Sequence, residues 1–347
     1  MRLARLLTVT AALLVAVTVA AAPEALAAPA AAPKSSQLRG DIAVHDPALY
    51  AGGQGKKWYV FSSGIPGKGD GTVAIRSSAD GGKTWTYSGT LYDAMPAWAK
   101  EMVPGANNMW APAIHEHAGT YYLYYAVSTI GKNNSVVGLA TNTTLDPADP
   151  AYKWVDQGKV VRSLPASDFN AIDPDVVEDA DGTPYLVFGS YWSGIQMVQL
   201  QWPSGKRSAD PERHHLADRK IALNAIEAPS IVRHDGFFYL LTSWDRCCQG
   251  VDSNYRIVAG RSKSVTGPYV DADGKSLMQG GGTTLLDSSG DRIGPGGESV
   301  SNDVVAYHYY DGKADGASKL GLRRLTWGDD GWPRIPAGDS VSVASAS

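Results

Sequence analysis

The stretch Phe169-Asn170-Ala171-Ile172-Asp173-Pro174-Asp175-Val176-Val177 runs on through Asp181-Gly182 into Pro184-Tyr185-Leu186-Val187-Phe188-Gly189-Ser190. It reads as two short strands joined by an Asp-Gly turn, since β-branched and aromatic runs flank a dipeptide that tolerates positive φ. Its first strand opens on a carboxylate set between apolar residues and followed by Pro. Four other segments vary the same plan. Val44-His45-Asp46-Pro47 leads, after a Gly-rich turn, to Lys57-Trp58-Tyr59-Val60-Phe61-Ser62. Met109-Trp110-Ala111-Pro112 leads through Gly119 to Tyr121-Tyr122-Leu123-Tyr124-Tyr125. Ala225-Ile226-Glu227-Ala228-Pro229 leads through Asp235-Gly236 to Phe237-Phe238-Tyr239-Leu240-Leu241. Gly297-Glu298-Ser299-Val300, a weaker copy, precedes Asp303-Val304-Val305-Ala306-Tyr307-His308-Tyr309-Tyr310.

Pro47, Pro112, Pro174 and Pro229 are spaced by 65, 62 and 55 residues. A repeat of this length with several short strands per unit is the signature of a propeller, and roughly 300 residues at roughly 60 per unit give five blades. Outer strands fit between the openings, as in Gly71-Thr72-Val73-Ala74-Ile75-Arg76-Ser77 and Ser135-Val136-Val137-Gly138-Leu139-Ala140-Thr141. No run of about twelve residues carries helical periodicity. The expected class is all-β, a five-bladed β-propeller.

Residues 1–27 read as a signal peptide. Met1-Arg2-Leu3-Ala4-Arg5 is a basic start, Leu6 to Ala22 an apolar run, and Ala25-Leu26-Ala27 an A-x-A cleavage site. Residues 28–37 read as an Ala/Pro-rich disordered leader, and 38–347 as one propeller domain. The expected location is secreted and extracellular. The net charge of -4 is spread along the chain without a basic block, which argues against nucleic acid or an anionic membrane as partner. The 10 Trp and 17 Tyr suit packing and also stacking on the C–H-rich faces of sugars. The two cysteines, Cys247 and Cys248, are adjacent, and export favours a vicinal disulfide over free thiols.

The inner strand of each propeller blade lines the central channel, so residues at matching positions converge there. Asp46, Asp173 and Glu227 are expected at one structural position in units one, three and four. A single Asp-Pro is a strand-entry turn, but three acids at one station need another reason. Glycosidic cleavage supplies one, because it needs a carboxylic acid to protonate the leaving oxygen and a carboxylate to activate water or attack carbon. A third acid keeps the proton donor charged with its proton, since like charges raise each other's pKa. Calcium binding also uses clustered oxygens, but the chain has no D-x-D-x-D-G loop.

His45-Asp46-Pro47, Asn170-Ala171-Ile172-Asp173-Pro174, Phe188-Gly189-Ser190-Tyr191-Trp192-Ser193-Gly194-Ile195 and Ile226-Glu227-Ala228-Pro229 together resemble the hallmarks of glycoside hydrolase family 43. They look most like those of its α-1,5-arabinanases, which are five-bladed propellers. Further matches from Trp110-Ala111-Pro112 to Leu325-Thr326-Trp327-Gly328-Asp329-Asp330-Gly331-Trp332-Pro333 extend the resemblance over essentially all of residues 41–335. Ser78-Ala79-Asp80-Gly81-Gly82-Lys83-Thr84-Trp85 matches a structural hairpin turn of propeller sialidases and other β proteins.

By the resemblance, Asp46 is the general base, Glu227 the general acid, and Asp173 the residue that tunes and orients Glu227. The family inverts, which implies a base–acid separation of about 6.5–9.5 Å. Asp175 shares a strand face with Asp173 and is a lesser candidate. Trp110 and Trp192 are the expected stacking faces, and His45, Asn170, Ser190 and Ser193 the expected hydrogen-bonding residues of a substrate site. The reaction needs no cofactor. The one ion the resemblance implies is a structural calcium in the channel, and Gly297 argues against it by standing where many arabinanases carry the His that holds the metal. The expected partners are arabinan and arabino-oligosaccharides, and the expected state is a monomer. The expected activity is endo cleavage. An exo-acting arabinofuranosidase is the near rival, and a non-catalytic carbohydrate-binding propeller the rival of another class.

Overall fold

The computed structural model describes residues 38–337, so the expected signal peptide and leader lie outside the described residues. The five repeats fold into five antiparallel sheets arranged as the blades of a propeller. Blade one runs Ala48–Tyr50, Trp58–Ser62, Ala74–Ser78 and Thr84–Thr90, and Arg39–Gly40 adds to its outer edge in parallel. Blade two runs Met109–His117, Thr120–Val127, Ser135–Asn142 and Val155–Ser163. Blade three opens with Asp175–Glu178 and Pro184–Phe188, joined by the expected turn, and continues through Ile195–Gln201. Lys206–Arg207 and His214–Ala217 both pair with that third strand. Blade four runs Ile226–His234, Phe237–Trp244, Arg256–Ser262 and Thr283–Leu286. Blade five has three strands, Arg292–Ser301, Val304–Asp311 and Ala317–Arg324.

The period-2 alternation of each strand explains how the blades stack. On one blade-one strand, Tyr59 and Phe61 face blade two, while Trp58 and Val60 face blade five. Each second strand therefore feeds two seams. The buried side chains sort into five clusters, one per seam: blades one–two, two–three, three–four, four–five and five–one. Fully burying one large apolar side chain contributes about 1.5–3 kcal/mol, so every seam is held by burial. The ring closes where Leu49, Val60, Val304 and Leu320 pack together and the Leu320 N–H donates to the Ile42 carbonyl at 2.9 Å.

One element was not legible in the periodicity. Ala97–Met102 forms a six-residue α-helix on the link between blades one and two. It is shorter than the window over which a helical pattern shows. Among the described residues no helix is long and apolar enough to cross a membrane.

Candidate active site

Each blade enters the centre through a residue in the left-handed region. These are Asp46 (φ 50), Ala111 (φ 38), Asp173 (φ 54), Ala228 (φ 49) and Gly297 (φ 59). Four of them precede a Pro, and the five dipeptides Asp46-Pro47, Ala111-Pro112, Asp173-Pro174, Ala228-Pro229 and Gly297-Glu298 line one central cavity. A non-glycine residue at positive φ costs about 1–2 kcal/mol, and such strain collects at functional sites. The repeated bend turns each chain sharply at the channel mouth.

The same register corrects the expectation that the three acids share one station. Asp46 and Asp173 do share it, with Ala111, Ala228 and Gly297. Glu227 stands one residue earlier. The ladder breaks between Trp110 and Ala113, between Glu227 and Ser230, and between Gly296 and Ser299, which aligns Glu227 with Trp110 and Gly296. His45 occupies that earlier station in blade one. Trp110 thus matches the position of Glu227, not that of the two aspartates.

Glu227 is 8% exposed and held at both oxygens. The Ser190 hydroxyl donates to Oε2 at 2.6 Å and the Tyr255 hydroxyl to Oε1 at 2.6 Å. Burial raises the Glu227 pKa and wins over these two hydrogen bonds, which lower it; the Asp46 charge adds to the rise and His45 opposes it. Burial also pushes Asp173 well above the usual carboxylate range, helped by the charges of Glu227 and Asp46. Asp173 Oδ2 accepts from the Ala228 N–H at 3.2 Å, which ties it to the bend beside Glu227.

Asp46 moves the other way. Burial alone would raise it, but the His45 charge and hydrogen bond, with smaller help from His308 and Ser63, hold it well below the usual range. His45 Nδ1 lies 2.8 Å from Asp46 Oδ2, and the Ser63 hydroxyl donates to the same oxygen at 2.6 Å. The surroundings thus favour the proton on Glu227 and the charge on Asp46. Environments that push two titratable groups apart in this way are the mark of an acid/base pair.

Around these acids lie residues the sequence reading missed. Tyr255 and Ser63 bond Glu227 and Asp46 directly, His308 and Tyr310 brace the Asp46 side, and Ser243 holds Glu298, an acid of the weak fifth opening. Glu298 is pushed up to about 8, chiefly by burial, and accepts the Ser243 hydroxyl at 2.6 Å. Asp175, the lesser candidate, lies half-buried below the bend, accepts the Ile231 N–H at 3.0 Å and is raised to about 6, chiefly by desolvation. It braces the seam between blades three and four and does not line the central cavity.

The expected substrate-binding residues divide. His45 and Ser190 touch the acids, as described. Trp110 is half-buried at the rim, its indole N–H donating to Asn108 Oδ1 at 2.6 Å. Trp192 is 39% exposed and lines a second pocket of about 510 Å3 with Tyr191, Asp218, Lys220, Ile221 and Leu223. That pocket adjoins the acid, because the Tyr191 N–H donates to the Ile226 carbonyl at 2.9 Å. Asn170 is buried with its Oδ1 accepting from Ser135 at 2.6 Å, and Ser193 Oγ accepts from Gln196 at 3.2 Å. Neither lines either pocket: Asn170 is tied to the Ser135 strand of blade two and Ser193 to its own loop. Cys247 and Cys248 form the expected vicinal disulfide.

His45, Asp46 and His308 bring ligand-type atoms within 4.8 Å of one another. They do not fit a channel cation. His308 Nδ1 accepts from the Asp46 N–H at 3.1 Å and its Nε2 lies 3.3 Å from the Tyr310 hydroxyl, so neither ring nitrogen offers a free lone pair. The His308 ring fills the space beside Gly297, where an added Cβ would meet Nδ1 at 2.7 Å.

Residues 72–333 match glycosyl hydrolases family 43. The chain belongs to that family. It is 39% identical over 293 residues to an extracellular endo-α-(1→5)-L-arabinanase of Bacillus subtilis, covering 84% of this chain and 87% of the relative. It is 38% identical over 310 residues to an extracellular exo-α-(1→5)-L-arabinofuranosidase of Cellvibrio japonicus, covering 85% and 86%. The structure of a family 43 endo-arabinanase from Bacillus licheniformis superposes with a TM-score of 0.80 at 40% identity, covering 86% of this chain and 99% of that one. The family 43 protein described here is a glycosidase on a five-bladed propeller.

Proposed function

We propose that this glycosidase is a secreted, monomeric endo-arabinanase that hydrolyses internal α-1,5-L-arabinofuranosidic bonds of arabinan with inversion. The observation that carries the reading is the opposed pair: Glu227 raised and held by Ser190 and Tyr255, Asp46 lowered and held by His45 and Ser63.

In this reading Asp46 takes a proton from water as the water oxygen bonds to C1. Glu227 gives its proton to the leaving O5 as the C1–O5 bond breaks, and C1 inverts in a single displacement. Burial and the Asp46 charge keep the proton on Glu227, and Asp173 orients the bend behind it through the Ala228 N–H. Solvent then carries the proton from Asp46 back to Glu227. Trp110 and Trp192 offer rings for furanose faces.

Relatives of both modes support arabinan as substrate and leave two readings of the mode. The endo reading draws on the roomy Trp192 pocket beside the acid, which gives a polymer space beyond the leaving oxygen. The exo reading draws on the 38% identical exo-acting relative. Secretion draws on the signal-peptide pattern of residues 1–27 and on relatives named extracellular.

The test is the product profile on linear, debranched arabinan for the wild type and Glu227→Ala. An early ladder of oligomers, absent from the variant, is the expected result. Arabinose or one short product from the outset would replace endo by exo. Binding without products would make the chain a carbohydrate-binding propeller.

A further inference from the structure

Tyr310 lies on the second strand of blade five, 4% exposed, two residues beyond His308 on the same face. Its hydroxyl is the junction of three groups, the Cys248 N–H, His308 and His45. We propose that Tyr310 is a positioning residue for the base: anchored by Cys248 and His308, it fixes the His45 ring that in turn holds Asp46. The inference rests on the reading of Asp46 as general base.

The proton positions follow from what each group is able to donate. The Asp46 N–H only donates, so His308 Nδ1, 3.1 Å away, accepts. The His308 proton therefore sits on Nε2, 3.3 Å from the Tyr310 oxygen. The Cys248 N–H is a second donor to that oxygen, at 2.7 Å. With two donors in place, Tyr310 turns its own hydrogen to Nε2 of the neutral His45 ring, 3.0 Å away. His45 Nδ1 therefore carries the hydrogen that faces Asp46 Oδ2 at 2.8 Å, and it keeps that hydrogen when the ring is cationic. Ser63 supplies the second donor to Oδ2 at 2.6 Å. Among the described residues no hydrogen-bond donor reaches Asp46 Oδ1, whose nearest nitrogen, His308 Nδ1 at 3.5 Å, has no proton to give. The network thus saturates one carboxylate oxygen and leaves the other to take a proton from water.

The frame is stiff. His45 stacks on His308 with ring centroids 3.8 Å apart and an interplanar angle of 23°. Tyr310 meets His308 edge-on at 5.4 Å. The Cys247–Cys248 ring, which has no part in the chemistry, presents the Cys248 N–H from a residue at φ 66 and sets its Sγ 3.7 Å from His45 Nε2.

His308 also has counterparts. The register places Ser243 and His308 at one station on the second strands of blades four and five, and Ser63, just beyond the second strand of blade one with its N–H on the His45 carbonyl at 3.0 Å, takes the same station. Each accepts the N–H of the left-handed residue of the next blade: Ser63 from Ala111 at 2.9 Å, Ser243 from Gly297 at 2.9 Å, His308 from Asp46 at 3.1 Å. A serine suffices for that bond. What the histidine adds is its second nitrogen, and that nitrogen goes to Tyr310.

The test is Tyr310→Phe on linear α-1,5-arabinan, read as kcat, KM and the pH profile of kcat/KM, with Asp46→Ala and His45→Ala alongside. Misplacing a reacting group by about 1 Å costs up to about 100-fold. Expected are a 10- to 100-fold fall in kcat, KM within twofold, and an acidic limb moved to higher pH while the alkaline limb stays. Asp46 faces His45, His308, Asp173, Glu227, Tyr255 and Tyr310, and the substitution loosens the two histidines while leaving the contacts to Asp173, Glu227 and Tyr255. The limb is independent of how much of the variant folds. In a double-mutant cycle the His45→Ala and Tyr310→Phe losses should fail to multiply. An unmoved acidic limb, or losses that multiply, would overturn the inference while Asp46 stood as base. Wild-type turnover by Asp46→Ala would instead remove the base reading, and the inference with it.

Discussion

Adding one methyl group at Gly297 tests how tightly the base is packed. Gly297 is at φ 59, and a Cβ there would stand 2.7 Å from His308 Nδ1 and 2.8 Å from Asp46 Oδ1. Backbone strain is the smaller part of the cost, about 1–2 kcal/mol, because Ala111 and Ala228 already occupy the equivalent station in blades two and four. The rest is overpacking, about 1–3 kcal/mol in a close-packed site. His308 is fully buried and stacked on His45, so it has nowhere to retreat, and the carboxylate must yield. A total of about 2–5 kcal/mol in a domain of about 300 residues lowers Tm by about 3–8 °C. Displacing the base by up to about 1 Å lowers kcat by up to about 100-fold. Gly182→Ala is the control, with φ 87 and nothing within 4 Å of its Cβ, so it meets the strain without the clash. Thermal melts and initial rates on linear arabinan decide. Gly297→Ala should lose both stability and kcat, and Gly182→Ala stability alone. A Gly297→Ala enzyme with wild-type kcat would refute the packing argument.

The opposed shifts of Asp46 and Glu227 predict a bell-shaped kcat/KM profile, its acidic limb below the usual aspartate range and its alkaline limb above the usual glutamate range; an alkaline limb inside the ordinary carboxyl range would count against Glu227 as acid. Tyr255→Phe removes a hydrogen bond that lowers the Glu227 pKa, so the alkaline limb should move to still higher pH, and a limb that moves down would contradict the assignment. Glu298 should govern stability at neutral pH. Its folded pKa of about 8 lies above the ordinary 4.5, so the folded state binds the extra proton, and stability is full below about 4.5 and falls as pH rises through 8. The fall is at most about 5 kcal/mol, and Glu298→Gln, which still accepts from Ser243, should flatten the decline of Tm between pH 5 and 8; an unchanged slope would show that Glu298 is not its source.

The fold was legible because one feature repeats along the chain. Pro47, Pro112, Pro174 and Pro229 mark four inner strands at near-equal intervals, and alternating aromatic runs follow each. Such signals are local, and period-2 burial on two opposite seams leaves them intact. The site was legible only as far as it shares those marks. Asp46 and Asp173 stand directly before a Pro, but Glu227 stands one residue off, and aligning the openings by eye absorbed that offset. Only the ladder breaks at Trp110, Glu227 and Gly296 reveal it. Tyr255, His308 and Tyr310 were invisible for another reason. The partner of Tyr255 lies 28 residues back in blade four, those of His308 and Tyr310 lie 262 and 265 residues back in blade one, and no local pattern encodes contacts over such separations.

Ring closure also explains why the chemistry sits where it does. Each acid site has a bond across a seam, in addition to any within its own blade. Glu227 of blade four takes its Ser190 bond from blade three, Asp173 of blade three meets the Ala228 N–H of blade four, and Asp46 of blade one is met by His308 of blade five. A seam buries apolar side chains along its length and leaves polar groups to pair at the channel mouth. There the low-dielectric walls raise the carboxyls that lack a cationic partner and let His45 lower the one that has it. The burial that holds neighbouring blades together thus also separates the two protonation states. Changes that loosen a seam near its inner end should therefore disturb the pH profile before they unfold the ring, while changes at the outer strands should do the reverse.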